Sequence, residues 1–246
     1  MSKYVYGVVP ASAAPRVGSS GIGGSAVEMV SGDGAAALVS DVPGDDELVA
    51  GRDELMVHAR VLEEAFTEVV VLPMRFGVVM PGEDGVRREL LDRHRDELLS
   101  QLERFDGKVE LRVRAAYEES ALMREVVLED AEIGRMREAL KDKPEDATYY
   151  ERIRLGEMVA QAVERKRAHD GQRILDALEP LSLELDVSEL AHERVAVNAS
   201  FLVERGRMEE FDRAVDEIGR RESGRMRLKY TGPLPPHSFV ELSVRG

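Results

Sequence analysis

Apolar and polar positions along this chain follow two rhythms, one of period two and one near 3.6, and the switches between them mark its elements. Residues 3–9 are largely apolar and predict a first strand. A stretch rich in Gly, Ser and Ala follows from Ala11 to Gly24 and reads as a mobile loop. Ala26-Val27-Glu28-Met29-Val30 and Ala36-Ala37-Leu38-Val39-Ser40 are short strand candidates around the turn signal Ser31-Gly32-Asp33-Gly34. Over residues 51–67 the spacing changes, and Leu55, Ala59, Leu62 and Phe66 form one stripe of a helix. Val69 to Met80 is β-prone, with Pro73 expected at a strand start or edge because it has no N–H to donate. A second helix spans residues 84–105, with Leu91, Leu98, Leu102 and Phe105 on one face and Asp106-Gly107 as its stop.

Residues 108–116 then alternate cleanly. Val109, Leu111, Val113 and Ala115 oppose Lys108, Glu110, Arg112 and Arg114, the pattern of a half-buried strand. Residues 118–179 are helical and highly charged, with a break at Lys143-Pro144, where the ring disfavours helix geometry in the preceding residue. After the break Leu155, Met158, Val159, Ala162 and Val163 make a helical stripe, and the next turn, Glu164-Arg165-Lys166-Arg167, reads as solvated. In the last third Leu183, Leu185 and Val187 oppose Glu184 and Asp186. Val195, Val197, Ala199, Phe201 and Val203 form the inward face of a longer strand, with Asn198 on the other face. Met208, Phe211, Val215 and Ile218 make a helix stripe, and Met226, Leu228 and Tyr230 alternate with Arg225, Arg227 and Lys229. Gly232-Pro233-Leu234-Pro235-Pro236 is a stiff extended connector, and Phe239 to Val244 is a candidate last strand.

Both halves mix helices with short alternating strands, which predicts an α+β protein of two domains. The expected boundary lies near residue 117. An N-terminal α+β domain would cover residues 1–117 and a C-terminal domain residues 118–246, with long helices and a Pro-rich tail over 231–246. The strand at 108–116 can serve either domain.

Composition narrows the class. Of 246 residues 43% are hydrophobic and 33% charged, as in globular proteins rather than disordered ones. The 34 cations against 48 acids leave a net charge of −14, which argues against a general binder of nucleic acid or anionic membranes but leaves room for a local basic patch. The absence of Cys excludes disulfides, zinc thiolates, iron–sulfur clusters and Cys nucleophiles. No apolar run approaches the ~18 residues of a membrane span. The N-terminus shows no signal-peptide cleavage pattern, so a cytoplasmic protein is expected.

A search for chemistry returns little. The five histidines include no pair at helical metal spacing and no His-Glu-x-x-His. Gly21-Ile22-Gly23-Gly24-Ser25-Ala26 faintly resembles a dinucleotide fingerprint, yet it leads into a strand rather than the helix N-terminus a pyrophosphate needs. The acid runs Asp45-Asp46-Glu47 and Glu129-Asp130 read as solvated faces. No catalytic residue, metal or cofactor is expected. Arg75, inside an apolar run, is either an edge arginine that packs its stem and keeps its head wet or an interface anchor. Arg225, Arg227 and Lys229 with Arg112 and Arg114 would make a basic stripe if their strands are neighbours. That stripe would receive an acidic partner segment or another copy of the chain, or would pair with local acids.

Several segments together resemble the gas vesicle protein GvpF/GvpL family. They are Tyr4-Val5-Tyr6-Gly7-Val8-Val9, Leu72-Pro73-Met74-Arg75-Phe76-Gly77, Val86-Arg87-Arg88-Glu89-Leu90-Leu91, Gly107-Lys108-Val109-Glu110, the run His192 to Val203, and Tyr230-Thr231-Gly232-Pro233-Leu234-Pro235-Pro236-His237-Ser238-Phe239-Val240. The resemblance is nearly full length and in order, and Tyr-Thr-Gly-Pro-Leu-Pro-Pro is its most specific piece; His237 stands where many members resemble one another in carrying an aromatic. It implies an N-terminal α/β domain joined to a C-terminal modified ferredoxin-like domain. It also implies a minor gas vesicle protein, not an enzyme, that assists vesicle assembly or forms part of the wall by binding the small hydrophobic shell protein GvpA and other accessory Gvp proteins. The residues expected at partner contacts are Arg75, Phe76, Arg112, Arg114, Asn198, Arg225, Arg227, Lys229, Tyr230, Pro235, Pro236 and Phe239. A generic interaction scaffold, or an enzyme using Arg75 and the strand arginines on a small anion, are the competing readings.

Overall fold

The apolar run at the start forms β1 (Ser2–Pro10), buried along nearly its whole length because it is flanked on both sides. β2 (Val27–Ser31) and β3 (Ala35–Val42) form the predicted hairpin, and β1 pairs antiparallel with β3. On its other side β1 meets two very short strands, β4 (Leu72–Pro73) and β5 (Val79–Met80), drawn from the β-prone run. Helix α1 (Arg52–Phe66) turns His58, Val61, Leu62, Ala65 and Phe66 inward, so the predicted stripe is rotated: Leu55 and Ala59 are exposed. The second predicted helix is broken into a short turn, α2 (Gly82–Gly85), a π-helical turn over Val86–Asp92, and α3 (Arg95–Phe105). Its apolar face, Leu91, Leu98, Leu102 and Phe105, is buried as the spacing predicts, and Gly107 at φ +67° takes the left-handed conformation that ends it.

The loop expected to be mobile is tied down. Gly18 and Ser19 N–H donate to Glu64 Oε2 at 2.8 and 3.0 Å, and Ile22 N–H donates to the buried Tyr6 hydroxyl at 2.6 Å. The glycine-rich N–H groups at Gly21 and Gly24 bond within the loop, which leaves no phosphate cradle there.

The residues described are 1–43, 51–190 and 192–241; Asp45-Asp46-Glu47 and positions 242–244 lie outside them in this computed structural model. Within it the chain divides into Met1–Glu110 with Gly232–Gly246, and Leu111–Thr231. The break therefore precedes residue 117, and the Pro-rich tail belongs with the first unit rather than the second. Its anchor is chemical. Glu110, predicted on an outward face, is fully buried and accepts hydrogen bonds from Ser238 N and Oγ at 2.8 and 2.9 Å. The Gln101 amide likewise clamps the Glu241 backbone, donating at 3.0 Å and accepting at 3.3 Å. Pro235, Pro236 and Phe239 are buried, and Phe239 to Glu241 are not strand.

In the second unit β6 (Lys108–Tyr117), β7 (Glu184–Val187), β8 (Val195–Glu204) and β9 (Met226–Leu234) form, among the described residues, a four-stranded sheet in the order β7-β8-β6-β9. Helices α4 (Glu119–Glu129), α5 (Ala131–Leu140) and α6 (Tyr149–Leu178) connect β6 to β7, and α7 (Met208–Arg221) connects β8 to β9. That order and those crossovers are ferredoxin-like, with the strand at 108–117 supplying the first strand. Asp130 is not a free acid: its Oδ1 caps α5, accepting from Glu132 and Ile133 N–H. Tyr117 N–H donates to Arg194 O and Glu118 N–H to Arg225 O, so β8 and β9 begin where β6 ends and run against it. Phe201 of β8 and Phe211 of α7 meet edge to face at 5.1 Å in the core between sheet and helix.

Candidate functional site

Two concavities flank α6 in the second unit, and their chemistry differs. The first, about 750 Å³, lies among α4, α6 and the start of β9 and is lined by charges. Arg225 sits at its centre. It donates to both oxygens of Glu125 at 2.7 and 2.9 Å, to Asp170 Oδ2 at 2.7 Å, and to Glu222. Lys166 bridges Glu125 at 2.9 Å and Glu129 at 2.7 Å, Arg173 reaches Glu222 at 2.7 Å, and the Tyr117 hydroxyl donates to Asp170 at 2.6 Å. Each charge is met by an opposite one. The Glu125 carboxyl is held below its usual range, first by the Arg225 hydrogen bond. Burial would raise Asp170, but Tyr117 and Arg225 outweigh it and lower its pKa. Burial and Asp170 push the Tyr117 phenol up. A carboxylate already saturated by guanidinium has no proton to exchange near neutrality, so this cluster is a staple between helices and sheet rather than an acid–base site. The turn Glu164 to Arg167, expected to be solvated, contributes Lys166 to this staple and Arg167 to a bond with Val195 O at 3.0 Å.

The second concavity, about 590 Å³, lies between α4, α6 and the residues entering β8. Its floor is apolar: Leu122, Met123, Gly156, Val159, Ala160 and Val163. Its rim is polar, with a Glu119–Arg194 pair at 3.1 Å and His192 beside it. The floor continues along α6 as an open stripe. Tyr149, Ile153, Gly156, Ala160 and Val163 fall within one face of the helix, and Tyr149, Tyr150 and Ile153 are exposed. The predicted stripe of Leu155, Met158, Val159, Ala162 and Val163 adjoins it and shares Val159 and Val163 with the groove floor; Leu155, Met158, Val159 and Ala162 are half-buried and Val163 is buried. Reading the sequence missed the open stripe because Gly and Ala carry little hydrophobic signal. The signal that could have found it is the recurrence of Tyr149, Ile153 and Ala160 at i, i+4 and i+11.

The residues expected at partner contacts scatter. Arg75 is exposed on the turn after β4, and Phe76 pins that turn, its ring 5.9 Å from Tyr4 and 5.8 Å from His58. Arg112 and Arg114 are exposed on β6, beside β9, so the strands of the basic stripe are neighbours. The stripe is nevertheless partly spent on local acids: Arg225 as described, and Arg227 on Glu118 at 3.0 Å. Lys229 is exposed and Asn198 half-buried. The Tyr230 hydroxyl donates to Asp212 at 2.5 Å, and its ring stacks on Phe211. Pro235, Pro236 and Phe239 are packing residues of the first unit. The arginines do not converge on one anion pocket, and among the described residues no cluster of His, Asp and Glu is arranged to hold a metal ion. No described helix is long and apolar enough to cross a membrane.

Comparison with known proteins gives a consistent result. The family model described as gas vesicle synthesis protein GvpL/GvpF matches residues 2–241. Gas vesicle protein F of Streptomyces sp. (strain CB03234) is 36% identical over 98% of this chain and 100% of its own length. Gas vesicle protein L of the same organism is 29% identical, over 98% of this chain and 93% of its own. The crystal structure of the gas vesicle protein GvpF from Anabaena sp. PCC7120 superposes with a TM-score of 0.84 at 24% identity, covering 99% of each chain, which shows a shared fold.

Proposed function

The chain belongs to the GvpL/GvpF family of gas vesicle synthesis proteins, and on that premise we propose that it binds the small hydrophobic shell protein GvpA, together with other accessory Gvp proteins, in the cytoplasm during vesicle assembly. The observation that carries this reading is the open stripe on α6 running into the apolar groove beside α4. A shell subunit that is strongly apolar before it assembles aggregates unless its apolar face is covered. An amphipathic helix of such a subunit fits a groove with an apolar floor and a polar rim. The charge surplus of −14 keeps the carrier itself dispersed. Action by contact rather than by catalysis is supported by the cluster around Arg225, where carboxylates and cations pair.

Gly156 offers a clean test, because a side chain added there meets open space and leaves the fold intact. Gly156→Glu and Ala160→Glu place charge in the groove floor. Co-expressed GvpA should co-purify with the native chain and be lost from both variants, while thermal unfolding stays close to native. Retention of GvpA by both variants refutes the groove as its site.

A further inference from the structure

The two outer strands of the ferredoxin-like sheet carry complementary patterns. At one edge, β7 with the preceding Leu183 alternates Leu183, Leu185 and Val187 with Glu184 and Asp186. At the other, β9 alternates Met226, Leu228 and Tyr230 with Arg227 and Lys229. The faces also agree. Leu185 stands opposite Phe201, which packs on Phe211, and Tyr230 stacks on the same Phe211. Both apolar rows therefore share the helix-covered side of the sheet, and both charged rows share the other. The directions agree as well: β7 runs against β8, while β8 and β9 both run against β6, so β7 and β9 are antiparallel to one another.

We infer that β7 of one copy pairs with β9 of a second copy, extending the sheet head to tail. In that arrangement Leu183 and Val187, 46% and 52% exposed here, meet the apolar row of β9, and Asp186 meets the cationic row. Charges on an edge strand commonly guard against such pairing. Self-repulsion would need the same sign at both edges, and here the signs are opposite, so a second copy is the strand that fits each edge. The contact is heterologous and does not close on itself after two copies. With only four residues in β7 it is weak, with a Kd of about 0.1 mM from a few backbone hydrogen bonds and one or two charge pairs.

Sedimentation of the full chain at low salt from about 10 μM to 1 mM tests this, since that range brackets the expected Kd. Weight-average mass should rise past that of a dimer and fall back as salt is added. Asp186→Lys and Lys229→Glu, both at exposed positions, should each weaken association about tenfold, the loss of one exposed charge pair replaced by repulsion. The doubly substituted chain, in which the pair is swapped, should recover most of the native association. A native chain that stays monomeric at the highest concentration overturns the inference. So does association that stops at a dimer, single variants that associate as the native chain does, or a double variant no better than the singles. Loss of self-association with GvpA capture intact leaves the groove reading standing.

Discussion

Acidification should unlatch the first unit through His58. This side chain is 6% exposed and sits in a cluster with Tyr4, Tyr6 and Phe76. Its Nε2 lies 3.2 Å from Met74 O, which can only accept, so Nε2 carries the proton; Nδ1 then accepts from the Tyr4 hydroxyl at 2.7 Å. The Tyr4 bond needs the neutral ring, since a protonated Nδ1 cannot accept, whereas the Met74 bond survives protonation. Burial lowers the pKa from 6.5 to about 4, with His237 adding to the effect and the Met74 bond opposing it. The unfolded chain therefore binds more protons than the folded one between these values, so stability rises with pH across the window and is lost as pH falls through it. The whole window is worth about 3 kcal/mol, and the step from pH 7 to pH 5 about 2 kcal/mol. Urea unfolding at both pH values, on the native chain and on His58→Gln, isolates the contribution, because every other titrating group appears in both. The native chain should lose about 2 kcal/mol more than the variant. The His58 ring resonance should also stay that of a neutral imidazole until pH nears 4. Equal losses in both proteins, or a ring that titrates near 6.5, refute the assignment.

Two further substitutions probe the second unit. Gly171 of α6 has no room for a Cβ, which would stand 2.5 Å from the Ala196 carbonyl oxygen; Gly171→Ala should cost about 1–3 kcal/mol, read as a lower Tm. Glu222, whose side chain is 1% exposed, faces Arg173, Arg221 and Arg225, which are 40%, 45% and 26% exposed; Glu222→Gln removes its charge-assisted bonds while Arg173 and Arg225 keep Asp170, and should cost about 1.5–3 kcal/mol in urea unfolding, with a cost near zero disproving the staple.

Local patterns predicted elements well where one face meets a core and the other meets water. The strand at 108–117, the helix stripe Phe211, Val215 and Ile218, and the inward row of β8 follow their spacing. Prediction slipped where a residue's partner is distant in sequence. Glu110 alternates like an outward residue, yet Ser238 satisfies its carboxylate 128 positions away and permits its burial. The loop over 11–24 has mobile composition, yet Glu64 and Tyr6 occupy its N–H groups. The turn at Lys166 reads as solvated, yet Glu125 and Glu129 lie on a different helix. Long-range polar pairing leaves no periodic trace, and that also moved the Pro-rich tail from the second unit to the first. The surroundings of a candidate partner residue are hidden for the same reason: Arg225 stands in an alternating cationic row, and only the fold shows that three carboxylates surround it.

Helix α6 joins these themes. Four of its five buried positions, Asp170, Gly171, Ile174 and Leu178, fall in its second half, where the helix lies on the sheet and anchors the ionic staple, and the fifth, Val163, stands at its midpoint. Before Val163 the helix has no fully buried side chain and touches the unit through one half-buried face. Thirty residues make a helix of roughly 45 Å, longer than a ten-residue strand of about 33 Å, so part of it has no sheet beneath it. That part carries Tyr149, Ile153, Gly156 and Ala160 on one open face. Tyr149, Tyr150 and Ile153 remain 61%, 81% and 43% exposed there, so much of their apolar surface stays in water. Covering the stripe with an apolar segment would remove that surface from water at about 25 cal/mol per Å² and order the half of the helix that the fold itself holds least. The charge-stapled half supplies the platform, and the open half supplies the surface on which the proposed apolar partner would dock.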